Sequence, residues 1–264
     1  MKFLAHRVGD KRIQRMVKRF LRAGVAEDGS VTVSDEGTPQ GGVISPLLAN
    51  IYLHYALGLW FEKVYRKSCT GYARLIRYAD DFVVCFQYKQ EAKRFREELG
   101  ERLGKFGLEM EPTKTKVMEF GSFAVQNAKR RGERAETFDF LGFTHYCGTK
   151  RDGKGFRMKR VTARKKFSAK LNAFKEWLKR ARTLKTKELW KIAKAKLRGH
   201  YNYYGVTDNL RGIVRFGEEV KKLLFKWLNR RGNVVVSTGK SSMRCCGVFL
   251  YWNPGSRSGC LDFL

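Results

Sequence analysis

The stretch at residues 73–86 reads ARLIRYADDFVVCF and sets two adjacent carboxylates between two apolar segments. Both segments are rich in β-branched and aromatic residues, so they predict a β-hairpin with Asp80 and Asp81 at or beside its turn. Carboxylates beside an apolar sheet are costly unless a cation neutralises them, and Mg²⁺ favours carboxylates combined with substrate phosphates. Acid pairs also occur in ordinary turns, so a metal site and a simple turn both stay open.

Three further motifs surround this hairpin in a fixed order. GTPQGGVISPLLANIYL, at residues 37–53, precedes it and predicts a glycine-rich turn followed by a helix that begins near Ser45-Pro46. Leu108 and Lys114-Thr115 follow the hairpin, and FLGF, at residues 140–143, comes next.

The remaining pattern predicts an α+β fold with a change of character near residue 148. Before that point, helices are expected at 2–23, 44–65 and 90–106, a strand-turn-strand at 108–120, and a strand at 138–146 with Gly142 inside it. After it, three long basic helices are expected at about 162–182, 187–203 and 209–229. A domain boundary is therefore predicted in the Gly/Lys-rich stretch at residues 147–155.

The charge of the chain indicates a polyanionic partner. It carries 55 Lys and Arg against 25 Asp and Glu, a formal net charge of +30. Residues 150–231 hold 27 of these basic side chains and 6 acidic ones, and aromatic residues are interleaved with them. Nucleic acid is the first candidate partner and an anionic membrane surface the second. The aromatic residues fit a helical core, and the basic face of the same helices fits phosphate binding.

Cysteine usage and hydropathy favour a reducing compartment. None of the six cysteines forms a C-x-x-C pair and no histidine lies at zinc-ligand spacing, which argues against a structural zinc site. No apolar run of about 18 residues and no signal peptide is visible in the sequence, so a cytoplasmic, bacterial-type location and no membrane partner are expected.

In this order, the four motifs resemble the palm of a reverse transcriptase. LRGHYNYYGV, at residues 197–206, resembles the signature of the maturase or thumb domain of group II intron-encoded proteins. The resemblance implies a partial fingers/palm at 1–148, a helical thumb/maturase at 149–231 and a divergent tail at 232–264. The implied function is Mg²⁺-dependent RNA-directed DNA polymerase activity, with an RNA-binding maturase role in intron splicing and mobility. The implied partners are group II intron RNA, an RNA template with a DNA primer, and dNTPs.

The resemblance also assigns roles around the polymerase site. Asp80 and Asp81 would ligate two Mg²⁺ ions, and Lys114 would face the triphosphate as a further catalytic group, although a lysine there is also compatible with a solvated charge. The nucleotide and template contacts fall on five residues, of which Gln40 also fits an ordinary polar loop position. They are Tyr78, Ala79, Pro39, Gln40 and Gly41.

Two further groups of residues carry roles by the same resemblance. Phe140, Leu141, Gly142 and Phe143 would form the primer grip, a segment that equally fits a core strand. Contact with RNA is expected from the maturase motif, in which Tyr201 and Tyr204 fit helix-core spacing equally well. Its residues are Arg198, His200, Tyr201, Asn202, Tyr203 and Tyr204.

Two departures from the family pattern change the expectation for this chain. No stretch corresponds to the strand that carries the first essential palm aspartate, and Asp10 falls on a different element. The isolated chain is therefore expected to be defective as a polymerase, unless a separate polypeptide supplies the N-terminal half. The segment after Asn233 changes composition, which favours a frameshifted tail over an endonuclease remnant. The alternatives are a non-enzymatic RNA-binding splicing cofactor, an inert fragment of a decayed mobile element, and a repurposed defence enzyme.

Overall fold

The computed structural model describes residues 1–22, 25–27, 30–32 and 44–231, and these form two compact units. Unit 1 spans Met1–Glu119 and unit 2 spans Phe120–Leu264. The described elements are helices and small antiparallel sheets, so the predicted α+β fold is confirmed.

Unit 1 opens with two helices rather than the single predicted one. Helix α1 covers Lys2–Ala5 and α2 covers Lys11–Arg22. The break contains Gly9 and Asp10, and Asp10 caps the second helix because its carboxylate accepts a hydrogen bond from the Arg12 amide at 2.7 Å. Two short strands, β1 at Val25–Glu27 and β2 at Ser30–Thr32, then pair antiparallel.

The centre of unit 1 is a long helical segment packed against one hairpin and one helix. Helix α3 at Ser45–Leu53 continues into π-helical turns at His54–Gly58 and Phe61–Tyr65. The hairpin is formed by β3 at Ala73–Tyr78 and β4 at Asp81–Phe86, as predicted. Helix α4 at Lys89–Gly104 confirms another predicted helix. A turn follows it and includes Gly107, whose φ of 63° suits glycine. The core of the unit is built from Leu57, Phe61, Tyr65, Ala73, Phe95, Leu99 and Leu103.

Unit 2 packs a three-stranded sheet with three long helices. A short helix, α5 at Ala124–Arg130, precedes the antiparallel strands β5 at Phe138–Phe140, β6 at Phe143–Thr149 and β7 at Phe156–Thr162. The long helices are α6 at Arg164–Ala181, α7 at Thr186–Tyr204 and α8 at Leu210–Leu228, which confirms the three predicted helices. Phe143 joins their buried side chains in one core.

Two sequence-based interpretations of this region were wrong in detail. Residues 108–120 contain a turn at 112–114 but no strand, so the predicted strand-turn-strand is absent there. The predicted single strand at 138–146 is a hairpin, because Leu141 and Gly142 adopt φ values of 50° and 81° and reverse the chain.

The division into two units falls after Glu119, before the predicted domain boundary at residues 147–155. The reason is that the hairpin of β5 and β6 packs on α7, with Phe143 in the helical core. The assignment of residues 1–148 to fingers and palm and 149–231 to a thumb stays a prediction. Among the described residues, no helix is both long enough and apolar enough to span a membrane.

Candidate functional site

The tip of the β3–β4 hairpin displays the two predicted carboxylates. Tyr78 pairs with Asp81, which leaves Ala79 and Asp80 as the turn. Ala79 has a φ of 53°, a conformation that is uncommon for a residue other than glycine. Asp80 and Asp81 are exposed, and so is Tyr78, with 66% of its surface accessible. The hairpin therefore brings four predicted site residues together at one solvent-facing point.

One guanidinium ties this tip to helix α3. Arg77 donates from Nη1 to the Ala79 carbonyl oxygen at 2.8 Å and to Asn50 Oδ1 at 2.9 Å. Its Nη2 lies 3.5 Å from the Asn50 carbonyl oxygen. Asn50 in turn donates from Nδ2 to the Pro46 carbonyl oxygen at 3.1 Å, one turn earlier in the helix. Arg77, a side chain of strand β3 itself, thus connects the turn to helix α3.

Lys114 lies on a separate, hydrogen-bonded turn of unit 1. Its amide and the Thr115 hydroxyl donate to the Glu111 carbonyl oxygen at 3.2 and 3.0 Å. The Thr113 hydroxyl donates to the Glu111 carboxylate at 2.8 Å, and this hydrogen bond lowers the pKa of Glu111. The Lys114 side chain is exposed, and in the described part of the chain no ion pair joins it to Asp80 or Asp81. The predicted contacts Pro39, Gln40 and Gly41 lie outside the described residues.

The FLGF segment forms the turn of the β5–β6 hairpin, and the end of α7 packs against it. Tyr203 donates its hydroxyl hydrogen to the Leu141 carbonyl oxygen at 2.8 Å. The Phe143 ring lies 5.7 Å from the Tyr203 ring and 5.2 Å from the Tyr204 ring, measured between centroids. Two motifs that are far apart in the sequence, the predicted primer grip and the predicted maturase signature, are therefore in direct contact within unit 2.

The maturase signature divides into an exposed and a buried set. Arg198, Asn202 and Tyr203 are exposed on α7. The rings of His200, Tyr201 and Tyr204 belong to the core of unit 2, with 9%, 1% and 5% of their surface accessible. The sequence-based interpretation of all six residues as RNA contacts is therefore revised, because buried side chains cannot reach a ligand. The proposed contacts are the three exposed ones.

Burial also shifts the pKa values of two side chains on this helix, His200 and Tyr201. The His200 ring stacks on Phe216 at a centroid distance of 3.6 Å, and in the described part of the chain neither ring nitrogen has a hydrogen-bond partner. Burial lowers the pKa of His200 from 6.5 to about 4, so the ring is neutral at pH 7. Burial raises the pKa of Tyr201 to about 12. Neither side chain carries charge to attract or repel a phosphate.

The donor set at the hairpin tip fits Mg²⁺ only in part. Two adjacent carboxylates match the ion's preference for one or two protein carboxylates completed by phosphate and water oxygens. Across residues 1–22 and 44–231, however, no group of three or more His, Cys, Asp or Glu side chains gathers in a metal-binding cluster. The tip can hold a cation that the substrate helps to ligate, and it is not a closed protein site.

Comparison with known families decides the identity of the fold. The family model described as "Reverse transcriptase (RNA-dependent DNA polymerase)" matches residues 2–145, more than half of the chain. The chain belongs to the reverse transcriptase family. The matched segment includes the Asp80-Asp81 hairpin, Lys114 and the FLGF turn, so the predicted family is confirmed.

Three curated proteins are similar to parts of this chain. Protein YkfC of Escherichia coli is 33% identical over 144 residues, which cover 44% of this chain and 38% of YkfC. The group II intron-encoded protein LtrA of Lactococcus lactis is 46% identical over 48 residues, 18% of this chain and 8% of LtrA. An uncharacterized 91 kDa protein in the cob intron of Schizosaccharomyces pombe is 39% identical over 51 residues, 19% of this chain and 6% of that protein. The matches thus span well under half of each relative's length.

Arg77 and Asn50 were not predicted as site residues, although they lie in the motifs at residues 73–86 and 37–53. A signal was present, because Arg77 follows Ala73 and Leu75 on the inward side of an alternating strand. A charged side chain at such a position needs polar partners from a neighbouring element. The partner, Asn50, could not be identified without the packing of α3 against the hairpin.

Proposed function

We propose that this chain is part of a group II intron-type reverse transcriptase and maturase. It binds intron RNA and an RNA template with a DNA primer, and its hairpin carboxylates take part in RNA-templated DNA synthesis from dNTPs. The observation that carries the proposal is the exposed pair Asp80 and Asp81 at the tip of a hairpin inside the segment that the family model matches. The role in splicing rests on the group II intron-encoded relative and on the basic charge of unit 2.

Asp80 and Asp81 would hold Mg²⁺ together with the phosphates of the incoming nucleotide. A bound pair of Mg²⁺ ions supplies activation of the attacking hydroxyl and stabilisation of the leaving pyrophosphate. Tyr78 and Ala79 would then lie beside the primer end, and the Lys114 ammonium would neutralise charge that develops on the pyrophosphate. Pro39, Gln40 and Gly41 keep their proposed role near the templating base.

Two carboxylates do not complete such a site, and we therefore propose that the isolated chain is defective in polymerase chemistry. The further acidic donor would come from a separate polypeptide. In this proposal, unit 2 contributes RNA affinity through exposed lysines and arginines of its three long helices, and through Tyr203.

Primer extension tests the catalytic half of the proposal. The chain would be incubated with an RNA template, a DNA primer, dNTPs and Mg²⁺, alone and with a polypeptide that carries the fingers and first palm strand of a related enzyme. We expect no extension by the chain alone and extension by the pair. Asp80→Asn should abolish the restored activity, and Glu97→Gln, which neutralises an exposed acid on α4, should not. Extension by the chain alone would refute the proposed defect.

A second candidate function is that of a non-enzymatic splicing cofactor, favoured by the density of basic side chains on unit 2. In that case the complementing polypeptide would restore no synthesis, and the chain would still bind structured intron RNA in a filter assay. Loss of binding as well as synthesis would contradict both candidates and indicate an inert fragment.

A further inference from the structure

Arg77 occupies a position that a charged side chain rarely holds without a specific reason. It lies half-buried on the inward face of β3, behind the two exposed carboxylates of the turn. Its guanidinium is satisfied by neutral oxygens, namely the Ala79 carbonyl and the side-chain and main-chain oxygens of Asn50. Among the described residues it forms no ion pair with Asp80 or Asp81. Because the Arg77 guanidinium binds carbonyl oxygens, the carboxylates of Asp80 and Asp81 stay free to bind a metal cation.

The hydrogen bond to Ala79 acts on the strained part of the turn. Ala79 has a φ of 53°, which costs a residue with a Cβ roughly 1 kcal/mol or more and persists only where the surroundings enforce it. Its carbonyl oxygen belongs to the peptide that leads into Asp80, so fixing that oxygen fixes this peptide plane and restricts the positions that the Asp80 side chain can take. A charge-assisted hydrogen bond of 2.8 Å is strong enough to offset this strain.

Asn50 makes the arrangement a rigid link rather than a local contact. Its Oδ1 accepts from Arg77, and its Nδ2 donates to Pro46 in the first turn of α3. Because both ends of the amide are used, its orientation is determined, and the guanidinium is aligned between a helix and the turn. These hydrogen bonds hold the tip of the hairpin in a defined position relative to α3.

We propose that Arg77 and Asn50 are positioning residues that hold the Ala79-Asp80 turn in the backbone conformation that presents Asp80 and Asp81 to a divalent cation. This inference rests on the proposed function, and it adds two residues that act through the turn without touching substrate. It separates two roles within the hairpin: the carboxylates bind, and the guanidinium behind them determines where they point.

The test measures cation binding and turn dynamics, so it does not need polymerase activity. Mn²⁺ titration followed by electron paramagnetic resonance gives the dissociation constant, and hydrogen exchange gives the opening rate of the amides at residues 79–81. The variants are Arg77→Gln, Arg77→Lys and Asn50→Ala. Arg74→Gln is the matched control, because Arg74 lies on the same strand with the same charge and points to the exposed face.

We expect Arg77→Gln and Asn50→Ala to weaken Mn²⁺ binding at least about tenfold, the usual effect of removing a group that orients a metal ligand. Turn amides should exchange roughly tenfold faster, as the loss of one charge-assisted hydrogen bond predicts. Arg77→Lys should recover part of the affinity, and Arg74→Gln should match the wild type. Urea unfolding shows whether each variant is folded, and Asn50→Ala serves if Arg77→Gln does not fold.

The outcomes separate this inference from the proposed function. If Asp80→Asn abolishes Mn²⁺ binding and Arg77→Gln and Asn50→Ala leave it unchanged, the positioning role is overturned and the proposed function stands. Faster exchange with an unchanged dissociation constant overturns it too, because the contact would then be structural only. If the wild type does not bind Mn²⁺, this inference is overturned and the proposed function stands, because there substrate phosphates complete the site. If the wild type binds Mn²⁺ and Asp80→Asn leaves that binding unchanged, the proposed function and this inference fail together.

Discussion

Two residues of this protein adopt backbone conformations that their amino-acid type does not favour. Ala79 and Leu141 both have positive φ values without being glycine, and each lies in the turn of a hairpin that carries predicted site residues. In both cases a hydrogen bond to the carbonyl oxygen of the strained residue comes from a long side chain, Arg77 for Ala79 and Tyr203 for Leu141. Side-chain hydrogen bonds, one local and one tertiary, thus hold backbone conformations that intrinsic preference disfavours.

At the same scale, His200 should make unit 2 sensitive to mild acid. Its folded pKa of about 4 lies below its ordinary value of 6.5, so the unfolded chain takes up the proton first as the pH falls. The stability present above about pH 6.5 is therefore lost progressively toward pH 4, by on the order of 2 kcal/mol between about pH 7 and about pH 5. Urea unfolding followed by circular dichroism at these pH values measures the loss.

The variant His200→Phe, which keeps a ring against Phe216, should remove most of this pH dependence. A residual part with the same sign is expected from His145, whose pKa burial also lowers. An unchanged pH dependence in the variant would contradict the assignment to His200.

At the scale of elements, the β5–β6 turn shows how a helix determines the path of a hairpin. Gly142 has a φ of 81°, and a Cβ placed on it would lie 3.0 Å from the Tyr204 hydroxyl oxygen. The turn is therefore constrained twice, by backbone conformation and by the close approach of α7. Gly142 makes both possible, and a side chain at this position would push the predicted primer grip away from the helix.

Gly142→Ala should destabilise unit 2 by more than backbone strain alone, which costs about 1 kcal/mol. Gly153→Ala is the matched control, because Gly153 has a φ of 73° and open space where its Cβ would be. Thermal unfolding measures the stability loss of both variants, and the difference between the two losses is the effect of the Tyr204 contact. Adding Tyr204→Phe to Gly142→Ala should recover part of that difference, and equal losses in the two glycine variants would refute the steric argument.

A second link between elements depends on Asn209, which is completely buried. Its amide donates to the Thr162 hydroxyl at 2.7 Å and to the Tyr204 carbonyl oxygen at 2.9 Å, and its Oδ1 accepts from the Thr162 amide at 3.0 Å. The side chain thus joins the end of β7 to the end of α7, just before α8 begins.

Asn209→Ala should lower the free energy of unfolding by about 2–3 kcal/mol, because it leaves buried polar groups without partners. Asn202→Ala, at an exposed position of α7, should change stability by less than about 0.5 kcal/mol. Chemical denaturation of the two variants measures the contrast. Similar small losses at both positions would mean that water or a rearranged loop replaces the Asn209 hydrogen bonds.

At the scale of the whole molecule, charge is concentrated on unit 2. The exposed lysines of α6 and α7 have few acidic neighbours, and residues 150–231 hold 27 basic and 6 acidic side chains. The surface ion pairs present, such as those of Lys179 with Glu176 and Lys221 with Glu218, connect positions three residues apart on one helix. Exposed pairs of this kind contribute little, so most of the positive field remains available to a polyanion.

RNA binding should therefore be strongly salt-dependent and should map to unit 2. Replacing Lys165, Lys166 and Lys170 by alanine should reduce the slope of log affinity against log salt by about 2, since each lost phosphate contact contributes about 0.7 for single strands. The matched triple variant Lys63→Ala, Lys67→Ala, Lys93→Ala removes the same charge from exposed positions of unit 1. Filter binding at several salt concentrations measures both slopes, and equal reductions would contradict a site on unit 2.

The sequence by itself determined the α+β class, the Asp80-Asp81 hairpin and the three long helices of unit 2, because these follow from hydrophobic periodicity and charge within one segment. Tertiary structure decided what depends on contacts between segments. It made 138–149 a hairpin through the contacts of Leu141 and Gly142 with α7, and it buried His200, Tyr201 and Tyr204. It also gave Arg77 its partner in Asn50. Periodicity along one segment cannot report which distant side chain supplies a hydrogen bond, and that is the physical reason these features appear only in the folded chain.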